Sequence, residues 1–181
     1  NEPPQRAPLV SICIPARNEE NNIKKCVEAA LRQDYPNIEV IVLDDRSTDA
    51  TLTQLAEIAS RDSRLIPISG SDLPVGWAGK PYALFQASAV ARGEWLCFVD
   101  ADTFLEPQAI SSVYAKALET EADLFTVMTR QILGSFWEKV VMPLVMTALS
   151  VGFSPRKVND PSRRDAVANG QFIFIKRSIY D

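Results

Sequence analysis

The sequence predicts an α/β protein with a mostly parallel central sheet, and two observations lead to this prediction. Short apolar runs alternate with segments of helical periodicity, and most of the apolar runs stop at polar or acidic residues. Strands buried on both faces of a parallel sheet have nearly continuous apolar sequences, and the order β-α-β-α-β-α-β implies right-handed crossovers. With 181 residues, 46% of them hydrophobic, the chain can form one domain core. We therefore expect a single domain over residues 1–181, with residues 1–8 as a polar, proline-rich lead-in.

The first predicted elements are a strand, a helix, a second strand and a second helix. Residues 9–14 are rich in β-branched side chains and stop at Pro15, and residues 38–43 form an apolar run that ends at the aspartates 44–45. Both predicted helices repeat apolar residues at helical spacing, and residues 47–49 supply N-cap side chains for the second. The positions expected to face inward are Ile23, Val27, Ala30 and Leu31, followed by Leu52, Leu55, Ala56 and Ala59.

The same alternation continues through the middle of the chain. Residues 65–68 predict a short strand, residues 70–81 a loop with several glycines and prolines, and residues 82–91 a helix. The apolar run Trp95–Val99 predicts another buried strand, and residues 123–129 predict the last one. The helix that Pro107 opens between them is expected to bury Ile110, Val113, Ala117 and Leu118.

Composition excludes several classes of chemistry. The chain contains no histidine, which excludes Ser-His-Asp and Cys-His catalysis as well as zinc sites with histidine ligands. Its net charge of −4 gives no electrostatic reason to expect nucleic acid as a partner. Cys13, Cys26 and Cys97 are far apart in apolar segments, which predicts buried thiols in a reducing compartment rather than a disulfide framework.

Polar clusters follow three of the predicted strands: residues 15–19, residues 44–45, and the sequence Asp100-Ala101-Asp102. Ligands bind outside the carboxyl ends of strands in α/β sheets, so these clusters predict one cleft for a nucleotide and a metal. Asp100 and Asp102 are suited to a hard cation such as Mg²⁺ or Mn²⁺ that bridges to a diphosphate. Lys80 follows a glycine near a predicted helix N-terminus, where it would act as an anion clamp.

Structural interpretations of the same residues stay open on the sequence alone. Asp102 would then only cap the turn after its strand, and Asp44 would only satisfy the turn into the next helix. Glu19 and Glu20 would compensate a helix dipole, and Lys80 would be a solvated surface cation.

The order and spacing of four motifs carry a resemblance to a known family. The motifs are Pro15-Ala16-Arg17-Asn18-Glu19-Glu20, Asp44-Asp45-Arg46-Ser47-Thr48-Asp49, Gly76-Trp77-Ala78-Gly79-Lys80 with Ala83-Leu84, and Val99-Asp100-Ala101-Asp102. Together they resemble the family 2 inverting glycosyltransferases of the GT-A fold. The resemblance covers the chain after Pro8 and implies a three-layer α/β/α sandwich with a mostly parallel sheet and a Rossmann-like nucleotide-binding half. Later segments resemble the branch with hopanoid-associated and carotenoid glycosyltransferases; they are Phe136-Trp137-Glu138, Val158-Asn159-Asp160-Pro161 and Asn169-Gly170-Gln171-Phe172.

The resemblance also implies a reaction and a role for each motif. The reaction is transfer of a hexose from a nucleoside diphosphate sugar, most often a UDP sugar, to an acceptor hydroxyl. Around the base and ribose the resemblance implies Pro15, Ala16, Arg17 and Glu19, with Asp45 as the hydrogen-bond acceptor for the base. It implies Lys80 on the nucleotide side of the donor and Asp100 with Ala101 near the ribose. Asp102 is implied as the ligand of Mn²⁺ or Mg²⁺. Asp100 and Asp102 are thereby the catalytic carboxylates of this chain. Arg46 departs from the family, in which a small residue is common at its position.

The catalytic base of the family is expected beyond Asp181, so the resemblance implies a C-terminally truncated domain. Asp160, Asp165 and Asp181 are the alternatives within the chain. Binding of a nucleotide sugar without turnover is one alternative function for a truncated domain. A sugar-1-phosphate nucleotidyltransferase is another, although such enzymes usually carry a glycine-rich basic loop where this chain has residues 16–19.

Residues 136–164 predict an interfacial or acceptor-side segment. Residues 140–153 contain no charge over 14 positions, which is fewer than the roughly 20 residues of a membrane-spanning helix. Trp137 on one side and a basic cluster on the other are typical of a membrane interface, whereas a core helix is the alternative. The cluster consists of Arg156, Lys157, Arg163 and Arg164. We expect a lipid acceptor such as a hopanoid or carotenoid, and peripheral association with the cytoplasmic face of a bacterial membrane.

Overall fold

The computed structural model describes residues 7–152, 159, 162 and 167–181. The strands are β1 (Val10–Ala16), β2 (Ile38–Asp44), β3 (Leu65–Ser69), β4 (Trp95–Val99), β5 (Leu124–Thr126) and β6 (Phe172–Lys176). The helices between them are α1 (Ile23–Leu31), α2 (Thr51–Ala59), α3 (Gly79–Val90), α4 (Ala109–Glu119) and α5 (Phe136–Gly152), and one helical turn, Arg177–Tyr180, ends the chain.

The six strands form one sheet in the order β3-β2-β1-β4-β6-β5. The four strands β1 to β4 are parallel, with Val10 of β1 opposite both Ile38 of β2 and Trp95 of β4. The strand β6 is antiparallel to both of its neighbours, β4 and β5. The mostly parallel sheet is therefore confirmed, and β6 is an element that the sequence analysis did not predict.

Side chains alternate between the two faces of the sheet and divide the core into two layers. On one face, the even-numbered residues of β1 pack with α1, α2 and α4. On the other face, Cys13, Ile41 and Leu43 pack with Ala83 and Ala87 of α3. Helices on both faces of one sheet make a three-layer α/β/α sandwich, as predicted.

Two helix faces differ from the prediction. Leu52 in α2 and Leu118 in α4 were expected inside, but they are 45% and 56% exposed, and Ala56 in α2 is also exposed. In α2 the buried residues are Thr51 and Leu55, because the helix turns a polar first residue inward to bond with the neighbouring turn. Ile110 and its inward partners in α4 are buried as predicted.

Several boundaries also differ, for reasons of backbone chemistry. The strand β1 continues through Pro15, because its pairing with β4 ends at Cys13 and only β2 pairs with it beyond that point. The helix α3 begins at Gly79 instead of Tyr82, and Pro81 is tolerated in its first turn, where backbone N–H groups have no partner within the helix. The last predicted strand is shorter than expected, since β5 contains only three residues.

The three cysteines are free and buried, as the sequence predicts. Burial raises the pKa of Cys13 to about 12 and raises the pKa of Cys97 well above its ordinary value. These thiols are inert at neutral pH, because the thiolate is the reactive form.

Over residues 136–148, the helix α5 leaves most of its apolar side chains exposed. Phe136 and Trp137 are each 71% exposed and Leu144 is 69% exposed, while Met142 and Met146 are half-buried. Within the described parts of the chain, no helix combines the length and the apolar character that crossing a bilayer requires. The basic cluster and the candidate carboxylates Asp160 and Asp165 lie outside the described residues.

Candidate functional site

A cleft of about 380 Å³ opens at the carboxyl ends of β1, β2 and β4. Its walls are Pro15, Ala16, Arg17, Glu19, Asp45, Gly79, Lys80, Ala83, Asp100, Ala101 and Asp102. The fold thus brings together all the residues predicted for the donor and the metal, while Asp44, Glu20 and Asp181 are not part of the lining. Gly79 and Ala83 were not assigned to the site, although their position beside Lys80 on α3 was a usable signal.

The turn of residues 17–20 is fastened to the loop that precedes α2. The backbone N–H of Asn18 donates to Ser47 Oγ at 2.9 Å, and the N–H of Glu19 donates to Thr51 Oγ1 at 2.8 Å. In return, Asn18 Oδ1 accepts the N–H of Thr48 at 2.8 Å. Asn18 has a φ of 55°, a left-handed conformation that asparagine tolerates well. These bonds hold Arg17 and Glu19 at the edge of the cleft.

Glu20 and Asp49 also hold the turn of residues 17–20 against the loop that precedes α2. Glu20 Oε2 accepts the N–H of Ala50 at 3.0 Å, and Asp49 Oδ2 accepts the N–H of Glu20 at 3.1 Å. Burial would raise the pKa of Asp49, but hydrogen bonds from the side chain and backbone of Thr51 and from Glu20 lower it below its usual value. Asp49 therefore joins two loops and also accepts the N–H of Thr51, whereas Ala50, the N-cap of α2, makes no side-chain cap.

The two aspartates at the end of β2 point to different environments. Asp44 is 4% exposed, and its Oδ2 accepts the N–H of Ser47 at 3.3 Å, which supports the turn interpretation of this residue. Its Oδ1 is buried and has no hydrogen-bond partner among the described residues. Asp45 lines the cleft, where Arg17 NH1 lies 3.6 Å from Oδ2 and Arg46 Nε lies 3.2 Å from Oδ1.

Lys80 and Asp100 form an ion pair in the lining of the cleft, with 2.5 Å between Nζ and Oδ1. Lys80 is the second residue of α3, and Asp100 directly follows β4, so the pair joins a helix N-terminus to a strand end. Lys80 is therefore not a freely solvated cation, although 48% of its side chain is exposed. Its ammonium group and the positive end of α3 together make this side of the cleft attractive to an anion.

The carboxylates of the cleft create a negative field that reaches a buried thiol. Burial is the main cause that raises the pKa of Cys26 to about 12, and Asp102, Glu19 and Asp100 raise it further in that order. The thiol donates to the backbone oxygen of Asp100 at 3.6 Å. Three carboxylates from the turns that follow β1 and β4 therefore act on the same region.

The residues of the cleft fit a hard divalent cation held jointly with a substrate. Among the described residues, no group of three or more histidine, cysteine, aspartate or glutamate side chains is arranged around one point. Mg²⁺ in nucleotide sites commonly takes only one or two protein carboxylates and completes its shell with water and phosphate oxygens. Asp102 is exposed and lines the cleft beside Asp100, so it can provide such a ligand.

A second cavity of about 950 Å³ meets the cleft at Asp102. Its lining includes Phe104, Phe125 and Phe172, together with the amide of Gln171. Gln171 Oε1 accepts from Thr129 Oγ1 at 2.5 Å. The cavity thus combines apolar side chains with charged ones, among them Glu106, Lys116 and Arg130, and it meets the cleft at the turn after β4.

Three known proteins illustrate what the chain is similar to. It is 36% identical over 118 residues to the UDP-Glc:alpha-D-GlcNAc-diphosphoundecaprenol beta-1,3-glucosyltransferase WfaP of Escherichia coli, a match that covers 65% of this chain and 44% of WfaP. The structure of S. aureus TarS 1-349 in complex with UDP-GlcNAc matches with a TM-score of 0.54 and 29% identity, over 71% of this chain and 38% of that one. The mannosyltransferase PcManGT from Pyrobaculum calidifontis, in complex with GDP-Man and Mn²⁺, matches in fold with a TM-score of 0.64 and 24% identity, over 97% of this chain and 46% of that one.

The chain therefore spans less than half the length of each of these proteins. The model of the family described as "Glycosyl transferase family 2" matches residues 11–181. This match covers nearly the whole chain, and the two structural neighbours share its fold, with helices on a mostly parallel sheet. The chain belongs to glycosyl transferase family 2 and has the GT-A fold.

Proposed function

We propose that this chain is the donor-binding domain of an inverting, metal-dependent glycosyltransferase that uses a UDP sugar. The observation that carries the proposal is the cleft itself, whose lining includes Asp45, Lys80, Asp100 and Asp102. A nucleoside diphosphate needs an acceptor for a base N–H at one end and cationic groups for the phosphates at the other. The chain is similar to proteins whose names or structures include UDP-Glc and UDP-GlcNAc.

In this proposal each group of lining residues binds a different part of the donor. The turn of residues 15–19 encloses the base and ribose, and Asp45 accepts a hydrogen bond from the base. Asp102 holds a divalent cation that, when bound, neutralises the charge developing on the diphosphate leaving group. Lys80, which Asp100 keeps at the edge of the cleft, donates to the diphosphate oxygens.

In this proposal the residues that line the cleft bind the donor, and none of them is assigned as the general base that would activate the acceptor hydroxyl. Asp181 itself pairs with Arg177 at 3.3 Å and is not part of the cleft lining. Direct displacement needs a base on the acceptor side, opposite to the leaving group. Donor binding and turnover are therefore separable, and donor binding is the property to test in this chain.

We further propose a lipid acceptor, of the hopanoid or carotenoid class, at the cytoplasmic face of a bacterial membrane. The second cavity supports this assignment, because it joins the donor cleft at Asp102 and has three phenylalanines in its wall. The exposed apolar side chains of α5 are a second support. WfaP, to which the chain is similar, acts by its name on a diphosphoundecaprenol acceptor.

Isothermal titration of the chain with UDP and GDP, each with and without Mn²⁺, tests the donor assignment. We expect Mn²⁺ to strengthen UDP binding, and we expect Asp102→Ala to weaken binding in Mn²⁺ at least about tenfold, or about 1.4 kcal/mol. Asp123→Ala is the matched control, because Asp123 is an exposed carboxylate that pairs with Lys176 outside the cleft. If neither nucleotide binds, or if Mn²⁺ has no effect, the proposal is wrong.

A further inference from the structure

Arg46 makes the closest contact to the Asp45 carboxylate but does not itself line the cleft. Its Nε donates to Asp45 Oδ1 at 3.2 Å, and its NH1 donates to Asp72 Oδ1 at 3.3 Å. Arg46 thus approaches Asp45 from outside the cleft wall and connects it to the loop between β3 and α3.

The backbone conformation of Arg46 is unusual for a residue with a side chain, which indicates a functional role for that side chain. Its φ is 59°, in the left-handed region that glycine adopts without strain and arginine adopts at a cost. Such a conformation persists only where the surrounding structure requires it, and it commonly marks a functional position. The two hydrogen bonds that the guanidinium donates offset the conformational cost of this backbone.

The arrangement gives the two oxygens of Asp45 different surroundings. Oδ1 is occupied by Arg46, whereas Oδ2 faces Arg17 at 3.6 Å, and a Cβ placed on Gly79 would lie 3.8 Å from it. Arg17 and Gly79 both line the cleft, so Oδ2 is the oxygen on the cleft side. A free aspartate rotates broadly about its terminal torsion, and a guanidinium bound to one oxygen restricts that rotation.

We propose that Arg46 is a positioning residue, which fixes the Asp45 carboxylate so that Oδ2 accepts the imide N–H of a uracil base. This inference rests on the donor site proposed above and adds to it a residue that acts through Asp45. Asp72 holds the second arm of the guanidinium and is itself fully exposed, so it supports Arg46 from the solvent side.

The test compares wild type with Arg46→Gly, Arg46→Lys and Asp72→Asn in titrations with UDP and Mn²⁺. Glycine suits the left-handed backbone, so Arg46→Gly is expected to keep the wild-type circular dichroism spectrum and a similar Tm. We expect it to weaken UDP binding about tenfold. In Arg46→Lys the ammonium group can replace one of the two guanidinium contacts, so this variant should bind UDP more tightly than Arg46→Gly and less tightly than wild type. Asp72→Asn should weaken UDP binding less than Arg46→Gly does.

A second probe separates positioning from a general structural effect. In 3-methyluridine diphosphate the imide N–H is replaced by a methyl group, so Asp45 has nothing to accept. Wild type and Arg46→Gly should therefore bind this analogue equally. The inference would be overturned if wild type and Arg46→Gly bound UDP equally, or if Arg46→Gly lost the same affinity for the analogue as for UDP. In both cases the donor assignment would still stand. Absence of UDP binding by wild type would overturn both.

Discussion

Among the glycines for which the structure gives Cβ distances, Gly93, in the segment before β4, would meet the closest backbone contacts. Its N–H donates to Ser11 Oγ at 2.8 Å, and a Cβ at this residue would lie 2.6 Å from the backbone nitrogen of Ser11 and 2.8 Å from the carbonyl oxygen of Leu9. Backbone atoms cannot move aside without disturbing the pairing of β1 with β4. We predict that Gly93→Ala lowers the free energy of unfolding by about 1–3 kcal/mol, measured by urea denaturation.

Gly134→Ala is the matched control for this prediction. The nearest atom to a Cβ there is Glu138 Oε2 at 3.7 Å, an ordinary contact with the end of a flexible side chain. Its free energy of unfolding should stay within about 0.5 kcal/mol of wild type. Equal urea midpoints for the two alanine variants would show that the close approach at Gly93 carries no energetic cost.

At the level of elements, the sequence predicted what depends on local pattern. The strands β1 to β4 were identifiable because each is a short apolar run that ends in polar residues. The strand β6 was missed, although residues 172–175 are apolar, because its antiparallel place between β4 and β5 depends on pairing with strands far away in the sequence. Leu52 and Leu118 were assigned inward from spacing alone, whereas the rotation of a helix on its sheet is decided by packing.

In the site, too, some features were predictable from the sequence and others depended on packing. Arg17, Asp45 and Asp102 could be named in advance, because residues that follow parallel strands meet at one edge of the sheet. The ion pair of Lys80 with Asp100 could not be named, because it depends on where a long loop delivers the first turn of α3. The contacts of Arg46 depend in the same way on the conformation of that loop and on a left-handed backbone.

The exposed helix α5 leads to a prediction about membranes. A chain of net charge −4 has no general attraction to anionic lipid, so binding to anionic liposomes would report a local apolar or basic surface. We expect the chain to co-sediment with such liposomes and Val145→Glu to reduce the bound fraction severalfold, because a charge on the apolar face opposes burial among acyl chains. Val145 is 42% exposed, so the substitution should not unfold the domain.

Leu52→Glu provides the control for that measurement. Leu52 is an apolar residue on α2 with 45% exposure, and the substitution adds the same charge on a different helix. Its bound fraction should equal that of wild type. If wild type does not sediment with liposomes, or if the two glutamate variants lose binding equally, α5 is not the membrane-contacting element.

For the molecule as a whole, polar groups with different tasks occupy opposite edges of the sheet. The cleft lies at the carboxyl ends of the strands, where Asp102 is exposed. At the amino ends, Glu39 is 2% exposed and accepts from Ser11 Oγ at 2.6 Å, from the Arg92 backbone N–H at 2.7 Å and from the Arg92 guanidinium at 2.7 Å. These bonds join β1, β2 and the segment before β4, so they contribute to the stability of the whole sheet.

Glu39 therefore predicts how the stability of the domain changes in acid. Burial would raise its pKa, but the bonds from Ser11 and Arg92 outweigh burial and lower the pKa below the ordinary value of 4.5. A carboxylate with a lowered folded-state pKa contributes stability that is fully present above about 4.5 and is lost as the pH falls through the folded-state value. At pH 7, Glu39→Gln should reduce the free energy of unfolding by about 1–3 kcal/mol.

The difference between wild type and Glu39→Gln should shrink as the pH falls from 4.5 toward 3, because protonated Glu39 also lacks the charge that Arg92 binds. Urea denaturation at pH 7, 5, 4 and 3 measures this convergence. Glu57→Gln is the control, since Glu57 is an exposed residue whose pair with Arg61 lies within one helix turn and should contribute at most about 0.5 kcal/mol at any pH. A constant difference between wild type and Glu39→Gln down to pH 3 would mean that the charge of Glu39 does not stabilise the fold, and that its effect is one of shape alone.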